Sequence, residues 1–126
     1  VQTCALPILK NGLHFRKLER QVLLRVLEMP NLVLSCGGGT PCYYNNMEEI
    51  NAKATSFYLQ ETPKTLSERL QIDKKNRPLI KRVEDKELFE FVAKHLFERR
   101  TFYEMANHSV RGEEKIEQII KIIKEN

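Results

Sequence analysis

The sequence has no tryptophan, three cysteines, and no apolar run near the roughly 20 residues that a membrane-spanning helix needs. That excludes a bundle of membrane helices. Cys4, Cys36 and Cys42 are odd in number, form no CxxC pair, and have no histidine at metal-ligand spacing. A disulfide framework and a structural zinc site are therefore excluded, and a reducing, cytoplasmic setting is expected. The first residues lack the basic stretch and continuous apolar core of a secretory signal. His14, His95 and His108 lie far apart with no nucleophile in a recognisable order, so nucleophilic catalysis has no support. The aromatic residues are spaced as core positions, without a stacking platform for single strands.

What is present fits one soluble α/β domain of 126 residues. Lysine and arginine number 21 against 17 aspartate and glutamate, a net charge of +4. Such an excess favours acidic partners, meaning nucleic acid or small anions such as phosphates and carboxylates. Its cations are scattered among glutamates at helical spacing, the pattern of a solvated surface, so no nucleic-acid partner is expected.

Periodicity sets the elements. Residues 13–29 place Leu13, Leu23, Leu24, Val26 and Leu27 on a helix that stops before Pro30. Leu32-Val33-Leu34, running into Ser-Cys and three glycines, reads as a buried strand. Asn45 and Asn46 read as caps of a short helix ending near Asn51, and residues 54–59 as a second strand. Thr62-Pro63 opens a helix with Leu66, Leu70 and Ile72 on one face. Asp73 to Arg82 is polar and without periodicity, a surface loop. Residues 85–104 form a long helix with Leu88, Phe91, Val92, Leu96 and Phe102 inward. A third strand is expected at 107–110, and a closing helix with Ile116, Ile119, Ile120 and Ile123 inward. Alternating strands and helices imply right-handed crossovers and a parallel sheet. Three strands make a thin sheet, and a chain opening on a helix reads as an α/β domain entered late.

Three patterns carry possible chemistry. Gly37, Gly38 and Gly39 follow an apolar run, and the carboxyl end of a parallel strand is where open α/β sheets bind ligands. Three glycines exceed what a turn into Pro41 requires, and bare backbone lets amides approach a ligand closely. Arg16 and Glu19 stand three apart on one helix face, so the carboxylate can hold the guanidinium while its other donors fork onto an anion. The same pair is also what an exposed helix carries as an ordinary ion pair. Arg69, Arg77 and Arg82 flank or lie in the polar loop, and Arg77-Pro78-Leu79 suits a lid closing over phosphates or simply an exposed basic loop. Arg99 sits four residues before Tyr103 near a helix end.

In this order FRxxE (15–19), GGGTP (37–41), RPL (77–79) and ERRxFY (98–103) resemble the shikimate kinase family, from about Gly12 to the C-terminus. The resemblance implies a P-loop-kinase-like, three-layer α/β/α fold with a parallel sheet, truncated at its N-terminus. It implies transfer of the γ-phosphoryl group of ATP to the 3-hydroxyl of shikimate, with Mg2+, on the way to aromatic amino acids. Arg16 then matches the arginine on the shikimate carboxylate, Glu19 the acid that orients it, and Gly38 and Gly39 the glycines lining the pocket. Arg99 matches a second arginine on that carboxylate. Arg77 matches the lid arginine that reaches the ATP phosphates and the substrate, and Arg69 the arginine that packs on adenine. The lid falls at about 73–84, and the enzyme is expected to be a monomer.

No G-x-x-x-x-G-K-[ST] loop and no Asp-x-Asp segment of the family's kind occurs in residues 1–126. Such a loop cradles the phosphates and helps hold the metal. Residues 1–9, VQTCALPIL, fit neither the family nor a helix and read as a non-native segment, with 10–126 as a partial kinase domain. Two expectations follow. The chain is an inactive fragment of a shikimate kinase, or it is a non-catalytic binder of an anionic metabolite.

Overall fold

Among the described residues, amphipathic spacing and its breakers yield five α-helices and two strands. The computed structural model describes residues 12–73, 76 and 84–125. The segment 1–9 and most of the lid, with Arg77 and Arg82, lie outside the described residues. Helix α1 spans Gly12–Val26 and ends ahead of Pro30, which cannot continue it. A 3-10 turn, Thr40–Cys42, has Pro41 inside it, and α2 spans Asn46–Lys53. Strand β1 is Phe57–Gln60 and α3 is Pro63–Ile72. Helix α3 is capped by Thr62, whose hydroxyl accepts from the Thr65 amide at 3.1 Å, with Pro63 in its first turn. Helix α4 (Asp85–Tyr103), strand β2 (His108–Arg111) and helix α5 (Lys115–Glu125) complete the order.

The two strands pair in parallel, Phe57 opposite His108 through Gln60 opposite Arg111. Their entry is fixed by a knot of short polar side chains. The Ser56 amide donates to Asn107 Oδ1 at 2.9 Å, and the Asn107 amide donates to Ser56 Oγ at 2.8 Å. Asn51 Nδ2 donates to the Met105 carbonyl at 2.8 Å, tying the end of α2 to the same corner. Both strands therefore leave this corner together and deliver their carboxyl ends to one edge.

Two small apolar clusters hold the layers. Leu23 of α1 packs with Met47 and Ile50 of α2, with Leu27, Cys36 and Ala106 against them. Leu88 and Val92 of α4 pack on Leu66 and Leu70 of α3, and Leu88 is fully buried. No helix of the described residues is long and apolar enough to cross a membrane.

Several expectations need correction. Leu32-Val33-Leu34 is not a buried strand: among the described residues it joins no ladder, and Val33 is 98% exposed. A strand exists through its neighbour's hydrogen bonds, and an apolar sequence alone does not supply them. Among the described residues the sheet thus has two strands rather than three. Ile72 is exposed, as are Ile116, Ile120 and Ile123, so the inward faces expected of them have no covering partner among the described residues. Leu13 and Phe91 are exposed as well. Asn45 makes no capping bond, and Asn46 lies inside α2, completely buried, with another task.

Candidate active site

Helix α1 lines up Arg16, Glu19 and Arg20 at three- and four-residue spacing, facing the glycine turn that leads to α2. Arg16 Nη1 donates to Glu19 Oε1 at 2.9 Å, and both side chains are largely shielded. The second carboxylate oxygen, Glu19 Oε2, accepts from Thr40 Oγ1 at 2.8 Å. Thr40 is buried, and its carbonyl accepts from Asn46 Nδ2 at 2.7 Å. Asn46 Oδ1 in turn accepts from Arg20 Nη1 at 2.8 Å. The chain of bonds starts and ends on α1, so the turn after the glycines is fastened to that helix at both sides. A fully buried amide with its donor and acceptor both engaged is well satisfied. The Arg16–Glu19 pair is consequently more than the exposed ion pair that spacing alone permits.

Arg16 is held from its faces as well as its edge. Its Cζ stands 4.1 Å from the Tyr43 ring centroid and 5.1 Å from that of Phe15. A guanidinium stacked on aromatic rings keeps its in-plane donors for other partners. The glycines are needed here because the arginines come too close for side chains. A Cβ on Gly39 would fall 2.6 Å from Arg16 Nη2, and one on Gly38 would fall 2.9 Å from Arg99 Nη1. Arg99 comes from α4, so two guanidinium groups from helices distant in sequence meet over one bare stretch of backbone. Arg16, Glu19, Gly38, Gly39 and Arg99 are thereby brought together.

Tyr103 closes the same corner. Its hydroxyl donates to the Gly38 carbonyl at 2.6 Å and shares the space over Gly38 with Arg99 Nη1, from one helical turn earlier: an added Gly38 Cβ would lie 3.4 Å from the one and 2.9 Å from the other. Burial pushes the phenol pKa up, and the Arg99 charge only partly opposes this. Cys42 Sγ lies 3.8 Å from the Gly38 carbonyl. Burial raises the Cys42 thiol, against the pull of Arg99 and Arg16. Both groups thus stay protonated at neutral pH, and the arginines are the local charges that remain available.

Arg69 is placed elsewhere. On α3 it reaches Glu61 Oε1 at 3.4 Å, and Lys115 of α5 pairs with the same carboxylate. Arg69 and Lys115 line a cavity of about 430 Å³ together with Thr65, Gly112 and Glu113. It opens beside the carboxyl ends of β1 and β2, the edge where parallel sheets receive ligands. Sequence reading missed Thr40, Tyr43, Asn46 and Tyr103. Thr40 and Tyr43 flank Pro41 beside the glycines, which was a usable signal, whereas Asn46 looked like a helix cap and Tyr103 like a core aromatic.

The family model of shikimate kinase matches residues 9–126. The shikimate kinase of Phocaeicola vulgatus is 40% identical over 100 residues, covering 79% of this chain and 57% of its own length. That of Flavobacterium psychrophilum is 37% identical over 121 residues, covering 90% of this chain and 70% of its own. The crystal structure of the Bacteroides thetaiotaomicron shikimate kinase superposes with a TM-score of 0.84 at 35% identity, covering 96% of this chain and 72% of that one. The chain spans little more than half the length of the first curated relatives it matches, 57% in two and 52% in a third. The helix-rich α/β fold with its parallel sheet is thus that of a P-loop-type kinase, and the chain belongs to the shikimate kinase family.

Proposed function

We propose that this chain carries the shikimate-gripping part of a shikimate kinase, which passes the γ-phosphoryl group of ATP to the 3-hydroxyl of shikimate. One observation carries the reading: Arg16 and Arg99 converge on Gly38 and Gly39, with Glu19 bracing Arg16. Two guanidinium groups over bare backbone suit a small carboxylate, which accepts forked donors from both sides. Arg16 and Arg99 hold the carboxylate, Glu19 fixes the aim of Arg16, and the glycines leave room for the ring. Arg77 is the lid arginine that meets the phosphates, and Arg69 belongs to the adenine end of the ATP site. ATP with Mg2+ supplies the phosphoryl group and its charge neutralisation. A cytoplasmic monomer is part of the same reading, in keeping with the free thiols of Cys36 and Cys42.

Calorimetric titration with shikimate tests this. Saturable binding is expected, weakened at least about tenfold by Arg16→Ala, because a charged hydrogen-bond partner is worth roughly 1.5–3 kcal/mol. Absence of binding, or binding indifferent to Arg16, overturns the reading. A second reading, a non-catalytic binder of an anionic metabolite, draws on the same arginines over the glycine turn. In a coupled ADP-release assay the chain by itself is expected to show no shikimate-dependent turnover, since phosphoryl transfer depends for positioning and charge on a G-x-x-x-x-G-K-[ST] loop, and none occurs in these 126 residues. Turnover that depends on Arg16 would show otherwise.

A further inference from the structure

We infer that Tyr103 is a positioning residue for the anion site, setting the aim of Arg99 through its hydroxyl; the inference rests on the carboxylate-binding reading above. A phenol has one hydrogen to give, and Tyr103 gives it to the Gly38 carbonyl at 2.6 Å. Arg99 Nη1 and the Tyr103 hydroxyl stand over the same glycine, 2.9 and 3.4 Å from where a Gly38 Cβ would be. With its hydrogen given to Gly38, the phenol oxygen can meet Arg99 only as an acceptor, so the contact inferred here has a fixed sense, Arg99 toward Tyr103 and Tyr103 toward Gly38.

The phenol itself is anchored from outside the site. Its ring lies against Tyr58 of β1, centroids 5.3 Å apart and tilted by 47°. Its Cα is in the last residue of α4, where the helix gives way to the corner that feeds β2. The hydroxyl thus links three separately built parts: the sheet, the end of α4 and the glycine turn. Arg16 has an equivalent support in Glu19 and the Tyr43 ring, whereas Arg99 has no carboxylate brace recorded among the described residues. Tyr103 fills for Arg99 the place that Glu19 fills for Arg16, with a neutral acceptor in place of an anion. A neutral brace orients the guanidinium without cancelling its charge, which keeps the full attraction for a carboxylate.

Replacing Tyr103 by phenylalanine keeps the ring contact with Tyr58 and deletes only the hydroxyl. Titrations of the 126-residue chain with shikimate, at a temperature where circular dichroism shows every variant folded, provide the test. Tyr103→Phe is expected to weaken shikimate roughly tenfold. In an Arg99→Lys background the same change is expected to weaken it less than about twofold, because the group it aims is gone. Shikimate methyl ester, which lacks the carboxylate, is expected to lose no affinity on Tyr103→Phe. The inference is overturned if Tyr103→Phe leaves shikimate binding intact, if its effect persists undiminished beside Arg99→Lys, or if ester and acid weaken alike. Failure of the unaltered chain to bind shikimate removes the carboxylate reading itself and the inference with it.

Discussion

At the scale of single residues, two glycines separate two uses of a missing side chain. Gly39 has an ordinary backbone, φ −90° and ψ −17°, which any residue adopts. Its demand is spatial, since an added Cβ would meet Arg16 Nη1 and Nη2 at 2.7 and 2.6 Å. Gly112 is the reverse, with φ at +84° and nothing within 4 Å of an added Cβ. Gly39→Ala is therefore expected to displace the Arg16 head and cut shikimate affinity about tenfold or more, with a small effect on the melting temperature. Gly112→Ala is expected to cost roughly 1–2 kcal/mol of stability through its left-handed backbone and to leave affinity alone. Titration and thermal melting of the two variants side by side check this, and a Gly39→Ala chain that binds normally would mean that Arg16 is free to yield.

At the scale of elements, α4 carries a pH dependence beside the site. His95 stands with its ring 4.2 Å from Phe91, and partial burial, helped by Arg99, holds its pKa below the usual 6.5. The folded chain then takes up this proton less readily than the unfolded one. Stability from this source is complete above the unfolded value and falls as the pH drops below about 6.5 toward the folded pKa. Thermal midpoints measured from about pH 7.5 to 5 are expected to decline, and His95→Gln is expected to flatten the decline in that window. An unchanged slope in the variant would assign it to other groups. The α4 pattern was legible because helix signals are local: caps, spacing and Pro63 place α1, α3 and α4 within a few residues of their observed bounds. The strand expected at Leu32–Leu34 does not form among the described residues, since a ladder depends on a neighbour that local sequence does not specify. In α5 the isoleucine stripe was read correctly as a periodic face, but what covers such a face is a tertiary matter. The site shows the same division. Arg16, Glu19 and the glycines carried local signals, while Asn46 and Tyr103 gained their roles from partners far along the chain.

At the scale of the whole molecule, little core holds the parts together. Among the described residues the buried apolar side chains are few: two separate clusters, one joining α1 to α2 and the other α3 to α4, and Val110 of β2 apart from both. Between these halves, beside the packing of Ala106 on the first cluster, the described links include polar ones: the Asn51–Ser56–Asn107 corner and the meeting of Arg99 and Tyr103 with the glycine turn. Shikimate is accordingly expected to raise the melting temperature, by an amount equivalent to about 2.7 kcal/mol when present at a hundred times its Kd. Arg16→Ala is expected to abolish the rise, and a rise that survives the substitution would place the ligand elsewhere. The two arginines stand on opposite sides of the seam between the clusters. In the proposed function, a small carboxylate gripped by both works as a removable cross-link, fastening the front half of the chain to the back, so that recognising the metabolite and completing the fold become one event.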